Sequence, residues 1–489
     1  MKLTHLLAPL LLATAAAFAQ GPLAPSGAPA PTMKSLDQIF TEASTASAKA
    51  EKRTPISALP FAITQPGSYY LTGNLTMTTA AAGITISAVG SVTLDLNGFT
   101  LDGGSLGTYG IQLTGTTPLN VRNGNIVRWT SYAIGDSVAA ASVLSELTID
   151  ADYGVVLGND STVQRCTIKQ TAGGGGALIA FLGLVVSDCH ISTAANGYGI
   201  QATTADIRHC TVTELSGGST GIGIGLGSRS SITDTKVVGY GTGIQVSVDG
   251  HLERVTATGI QTGLSMGEGS TVSNCSIAGG SPAGSSITVG GNSVVKSTSI
   301  AGSAGAPGIR STGNNVRVLD CSVTSSSPAI SLAGKSIVTG CTVAEFAGVG
   351  YGMIVGTGSE VRGCIIERFG VGIEATADAQ ILDCIGTNQT SHGIVITNRC
   401  TVRGNTVTLS GTSAIFVAGQ KNRIEANHLG LSTATYGIFL SNMNNVVIRN
   451  SIQGATTPIA ALFGPASGPG IAPLQDPATA TNPNANLSY

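Results

Sequence analysis

One short pattern returns along most of this chain at intervals of about 22 residues. It reads V/I/L-x-x-C-x-I/V, as in Val272-Ser273-Asn274-Cys275-Ser276-Ile277 and Val318-Leu319-Asp320-Cys321-Ser322-Val323. Its fourth place is held by Cys166, Cys189, Cys210, Cys275, Cys321, Cys341, Cys364 and Cys384. In the remaining units it is held by Thr235, Val255, Thr298, Asn405, Asn427 and Asn450, and upstream by Phe99, Gly124 and Leu147. A fixed period of this length means stacked repeats, each burying its apolar side against its neighbours.

A second signature keeps the same phase: Gly-Ile-Gln-Leu at 110–113, Gly-Ile-Gln-Val at 243–246, Gly-Ile-Val-Ile at 393–396 and Gly-Ile-Phe-Leu at 437–440. Alternation of apolar and variable residues marks a strand with one buried face. Each unit then holds three short strands. In the unit from Gly243 they lie at Ile244–Val246, at His251–Glu253 after a turn at Val248-Asp249-Gly250, and at Val255–Ala257 after a bend at Arg254. The bend residue before the slot is Asp, Asn or Gly in most units, among them Asn123, Asp188, Asp234, Asn274, Asp320, Gly340, Gly363 and Asp383. These types best tolerate left-handed backbone angles, which turn one strand sharply into the next. No unit carries a helical pattern. The fold predicted is all-β: a single-stranded parallel β-helix of about 17 coils, roughly 80 Å long at strand spacing, with one short N-terminal helix. Sixty-seven glycines, 10% charged and 4% aromatic residues suit a narrow coil with many turns.

The V-x-N/D/G-C-x-I unit and the Gly-Ile-x-Leu/Val strand resemble the right-handed parallel β-helix repeat of the pectate-lyase-like superfamily, over roughly residues 60–462. The right hand comes from that resemblance. It implies a site on the outward face of one sheet, where lyases gather Ca²⁺-binding carboxylates with a basic residue and hydrolases gather paired aspartates. The superfamily also contains adhesins and members without activity, and this chain resembles an exported, non-catalytic or uncharacterised branch.

The ends read differently. Met1–Ala19 reads as a secretory signal peptide: Lys2, an apolar stretch from Leu6 to Phe18, then Ala17-Phe18-Ala19 as the cleavage site. The expectation is a secreted, periplasmic or extracellular protein with no membrane span. Residues 20–32 form a Pro/Ala linker. Residues 33–53 form a helix with Leu36, Ile39, Phe40 and Ala43 on one face, a cap for the first coil or a tether. Residues 54–463 are the repeat domain, and 464–489 a loose, disordered tail.

Nine cysteines in an exported chain invite disulfides. Side chains in register on adjacent parallel strands stand about 4.8 Å apart, wider than the ~3.8 Å Cβ separation of a disulfide. Substitution by Val, Leu and Thr also argues for a packing slot, so the column is read as free buried thiols, with an axial disulfide such as Cys341–Cys364 as the alternative. No His or carboxylate joins it at ligand spacing, so no metal site is assigned. Cys400 lies off the column. Asn405, Asn427 and Asn450 form a candidate amide ladder.

Read down the stack, the outward residue of the first strand runs Gln112, Val156, Ile179, Gln201, Gly223, Gln245, Ser265, Thr288, Arg310, Ser331, Ile354, Glu374, Val395, Phe416, Phe439. No carboxylate cluster forms there. The nearest approach to a catalytic group is Glu345, Glu367, Arg368 and Glu374, with Glu345 and Glu367 expected at equivalent places in adjacent coils. Asp150 and Asp152, flanking Ala151 in a turn, are the one candidate for Ca²⁺; no other cofactor is called for. The six histidines, His5, His190, His209, His251, His392 and His428, are read as surface or turn residues. Phe416 and Phe439, with Tyr436, form the candidate sugar-stacking patch. A net charge of −2 argues against nucleic acid as partner. The function expected is a structural rod, or one that binds carbohydrate or a cell surface, without catalysis. The alternative is a lyase or glycoside hydrolase acting on an acidic polysaccharide.

Overall fold

The computed structural model describes residues 34–489, apart from 137–140, 173, 195, 218–219, 281–283, 303–304, 325–326, 433 and 463–469. The expected signal peptide and linker lie outside the described residues. The chain divides into two units, Met1–Arg53 and Thr54–Tyr489. The first contains the helix Leu36–Ala50, with Asp37 in its first turn and Leu36, Ile39 and Phe40 exposed. Among the described residues no helix is long and apolar enough to cross a membrane.

The second unit is an all-parallel β-solenoid of about 17 turns. Each strand pairs in parallel with its counterpart one coil away, so the solenoid consists of three parallel ladders. Along the first, Ile244, Leu264, Ile287, Ile309, Ile330 and Met353 follow one another. Along the second come Leu252, Val272, Val295, Val318 and Val338, and along the third Ala257, Ile277, Ile300, Val323 and Val343. These stacked aliphatic columns are the core. Each fully buried Ile, Leu or Val contributes about 1.5–3 kcal/mol of hydrophobic stabilisation.

All 17 bend residues before the slot have positive φ, the seven that are not Asp, Asn or Gly included: Glu146, Arg165, His209, Arg254, Ser297, Ala426 and Arg449. The corner geometry is therefore set by the stack and only favoured by residue type. It has a consequence at the next residue. The backbone ladder skips the N–H of the slot residue, and in several coils a polar or thiol side chain at the next slot accepts it. Cys210 N donates to Thr235 Oγ1 at 3.3 Å, Cys275 N to Thr298 Oγ1 at 3.4 Å, Cys166 N to Cys189 Sγ at 3.5 Å and Cys384 N to Asn405 Oδ1 at 2.9 Å. The slot selects a buried acceptor as well as a size. All nine cysteines are free and buried, as the spacing argument requires.

The corner between the first and second ladders has a similar column, which the sequence reading passed over. Gly250 N donates to Ser270 Oγ, Ser270 N to Ser293 Oγ, and Ser336 N to Ser359 Oγ. Cys400 belongs here: its N–H donates to Asn422 Oδ1 at 2.8 Å, and Asn422 N to Asn445 Oδ1 at 3.0 Å.

The last segment departs from expectation. Asn486–Ser488 pairs with Ser451–Gln453, and Leu474–Gln475 pairs with Asn486–Ser488. Asn486 extends the amide column, accepting from both Asn450 N and Asn450 Nδ2. The described part of the tail thus adds a rung to the third ladder, edged by the two-residue strand Leu474–Gln475.

Candidate functional site: the outward face of the first ladder

The strand Tyr198–Ala202 shows how this face is built. Tyr198 and Gln201 are partly exposed, while Gly199, Ile200 and Ala202 are buried. Two buried residues in a row break strict alternation, so the face carries two outward columns, three residues apart. The sequence reading followed one of them. The other begins Tyr109, Tyr132, Tyr153 and continues through Gly176 and Tyr198. Tyr109 and Tyr132 stack with centroids 6.1 Å apart, Tyr132 and Tyr153 at 5.4 Å. Burial in this stack pushes the Tyr132 phenol above its ordinary pKa. The signal was available as a tyrosine three residues before Gln112, Val156 and Gln201, but period-2 reading discards it.

Register also corrects one member of the followed column. Gln201 pairs with Gly225, and Gly225 with Gln245, so Gly225 is the outward residue where Gly223 was expected. The Gly-Ile-x-Leu signature fits Gly221-Ile222-Gly223-Ile224 and Gly223-Ile224-Gly225-Leu226 equally well. Gly223 instead makes room for the buried Tyr240 ring, which a Cβ there would meet at 2.9 Å. Tyr240 Oη accepts from Thr193 Oγ1 at 3.1 Å. Over Gly225 the face sinks into a hollow of about 440 Å³, lined by Phe181, Tyr198, Gln201, Thr203 and Gln245 among others. A smaller hollow of about 390 Å³ lies by Glu268, Asn292 and Asn315, whose side chains are hydrogen-bonded in series.

The carboxylates do not assemble. Ala344 pairs with Glu367, and Glu345 N donates to Glu367 O, so Glu345 and Glu367 are one residue out of step. A one-residue offset sends side chains to opposite faces. Glu345 is 3% exposed and its Oε2 accepts the N–H groups of Ala347 and Gly348, at 2.6 and 2.7 Å, clamping that loop. Glu367 stays at the surface, 3.5 Å from Arg368, which lies 5.5 Å over the Phe346 ring. Glu374 stands on the first ladder between Ile354 and Val395. Asp150 and Asp152 lie on the extended strand Ser142–Val156, where a turn was expected. Asp150 pairs with Lys169 at 3.0 Å, and Asp152 accepts from Thr171 Oγ1. Among the described residues no group of three His, Cys, Asp or Glu side chains could hold a metal ion.

The aromatic patch does assemble. Phe416 and Phe439 stack at 5.6 Å with planes 7° apart, and Tyr436 packs on Phe439 at 4.8 Å. His392, expected at a turn or surface, lies on the strand His392–Ile396 and extends the stack, 5.1 Å from Phe416. Its Nδ1 is 2.6 Å from Ser413 Oγ, and burial lowers its pKa, so the ring is neutral at pH 7. All four rings are half-buried.

The chain is thus a parallel β-helix repeat protein whose outward first-ladder face carries aromatic rings and amides rather than clustered carboxylates. The family model described as right handed beta helix region matches residues 258–427, agreeing in hand with the expectation. No curated protein matches the chain in sequence. Among solved structures it is similar to the Dettilon tailspike protein, at 15% identity and TM-score 0.32, over 63% of this chain and 62% of that one. It is similar to the A-module of the Azotobacter vinelandii mannuronan C-5 epimerase AlgE4, at 12% identity and TM-score 0.24, over 83% and 91%. It is also similar to a tailspike protein of E. coli bacteriophage HK620 solved with a pentasaccharide, at 12% identity and TM-score 0.24, over 91% and 77%. The match spans less than two thirds of the Dettilon tailspike's length.

Proposed function

We propose that this protein is a carbohydrate-binding rod that works without bond cleavage, displayed outside the cytoplasm by the export signal read at Met1–Ala19. The observation that carries the reading is the pair of aromatic stacks on one face, Tyr109–Tyr132–Tyr153 and His392–Phe416–Phe439. Half-buried rings stacked in a row present a continuous strip of apolar ring edges, a surface on which sugar C–H groups can pack at low conformational cost. General acid/base cleavage needs two carboxyl groups about 5–10 Å apart across one bond. Glu345 is sequestered in its loop, and Glu367 and Glu374 belong to different ladders. The test is a glycan array run beside an assay for new reducing ends and unsaturated uronates, with and without Ca²⁺. Binding without product is the expected result. Product formation that Glu374→Gln or Glu367→Gln abolishes would establish the enzyme instead.

A further inference from the structure

We propose that the hollow over Gly225 is a binding subsite for an uncharged polysaccharide lying along the coil axis. The inference rests on the carbohydrate-binding reading and gives it a place and a ligand class. Gly225 is the outward residue between Gln201 and Gln245. With no side chain there, the two amides flank a gap two coils wide, about 9.6 Å at parallel strand spacing. The Tyr198 ring rests on Gly225, where a Cβ would come within 2.8 Å of it. Phe181, 51% exposed, stands at the rim. A ring to stack on, two primary amides that both donate and accept, and the Thr203 hydroxyl are the groups that match a sugar's alternating C–H and O–H surface.

Charge decides the ligand class. No ionisable acid or base except the Tyr198 phenol lines the hollow. In the column that contains Gly225, every residue from Gln112 to Thr288 is uncharged, and the first cation is Arg310. A uronate, sulfate or phosphate seated here would lose water without gaining a counter-charge, which is strongly unfavourable. A neutral hydroxyl-bearing chain meets no such cost. The hollow therefore selects against the acidic polysaccharides that the enzymatic alternative would require.

The experiment is isothermal titration of the full chain with neutral polysaccharides (a β-glucan, a mannan, a galactan) and with polygalacturonate and alginate, at about 50 and 500 mM salt. The expected result is binding to a neutral polymer, unchanged by salt. Gly225→Val, which displaces the Tyr198 ring, and the double variant Gln201→Ala/Gln245→Ala, which alters outward side chains alone, should each weaken it about tenfold or more. Ile385→Ala, exposed on the third ladder many coils away, should leave the affinity unchanged. Binding confined to the uronate polymers and lost at high salt would overturn the neutral-ligand inference while leaving the carbohydrate-binding function in place. Neutral binding untouched in the folded glutamine double variant would overturn the hollow as its site. Failure to bind any glycan would remove the function and the subsite together.

Discussion

Between Cys166 and Cys384 the corner slot holds thiols, hydroxyls and one valine, whereas from Asn405 to Asn486 it holds amides alone. Both stretches meet the same backbone demand, an acceptor for a skipped N–H. They meet it unequally. The amide oxygens accept at 2.9–3.1 Å and the Cys189 thiol at 3.5 Å. Each amide also donates. Asn427 Nδ2 reaches Val402 O and Asn450 Oδ1, while Asn427 Oδ1 accepts from Asn405 N and Asn405 Nδ2. A thiol donates to the carbonyl two residues back, as Cys189 Sγ does to Ser187 O at 3.1 Å, and reaches the carbonyl of the preceding coil at the longer distance of 3.6–3.8 Å. The amide column ties successive coils together; the thiol column mainly fills space. In a solenoid each unit leans on its neighbours, and terminal units fray first. The stronger ladder stands where the described stack closes.

The largest effect should follow removal of a central amide. Asn427→Ala deletes four hydrogen bonds and leaves the Asn405 N–H and Val402 carbonyl without these partners inside the coil. At about 1–3 kcal/mol for each orphaned buried group, the loss is about 4 kcal/mol. Hydrogen exchange should show it as faster opening of the coils from Asn405 to Ser488, with those near Cys166 unchanged. A uniform change along the rod would mean that the column does not act locally.

A thiol should matter less. Cys364→Ala removes one small buried group and a weak donor, for about 1–2 kcal/mol. Cys364→Thr should cost under about 1 kcal/mol, because Thr235 and Thr298 already serve the slot. Urea denaturation of the two variants beside Asn427→Ala gives the order directly. Access provides a second check. All nine thiols lie buried in the stack, away from a reagent in solution. The native protein should be nearly inert to a thiol-specific chromophore at pH 8, and all nine cysteines should react in denaturant. Fewer than nine would mean that some pair had oxidised.

The period exposed the slot, the bend and the three strands because burial repeats them in every coil. What stayed hidden has local causes. The tyrosine column sits three residues before the outward position, across a glycine buried by tertiary packing, as at Gly199 over Tyr240. Gly225 was masked by a signature that fits twice in one strand. The added rung escaped because Asn486 follows Asn450 by 36 residues, well beyond one period. The false pairing of Glu345 with Glu367 was a one-residue register error, the kind a charge pattern without apolar flanks does not prevent.

The smallest effect should come from the bend, and its sign should be opposite. Two of the last three bends, at Ala426 and Arg449, have positive φ without a residue that favours it; Ala426 has φ 55°. An L-residue pays about 1–2 kcal/mol for that conformation, and glycine is free of the cost. Glycine also has more unfolded-state entropy to lose, by about 0.5–1 kcal/mol. Ala426→Gly should therefore stabilise the amide coils by roughly 0.5 kcal/mol, while Gly363→Ala at the equivalent bend of the thiol stretch, φ 61°, should destabilise by a similar amount. Equal and opposite shifts in urea midpoint would place the difference between the two stretches in the slot side chains. If Ala426→Gly were instead destabilising, the alanine methyl would be contributing packing at that corner, and bend and slot would have to be treated as one unit.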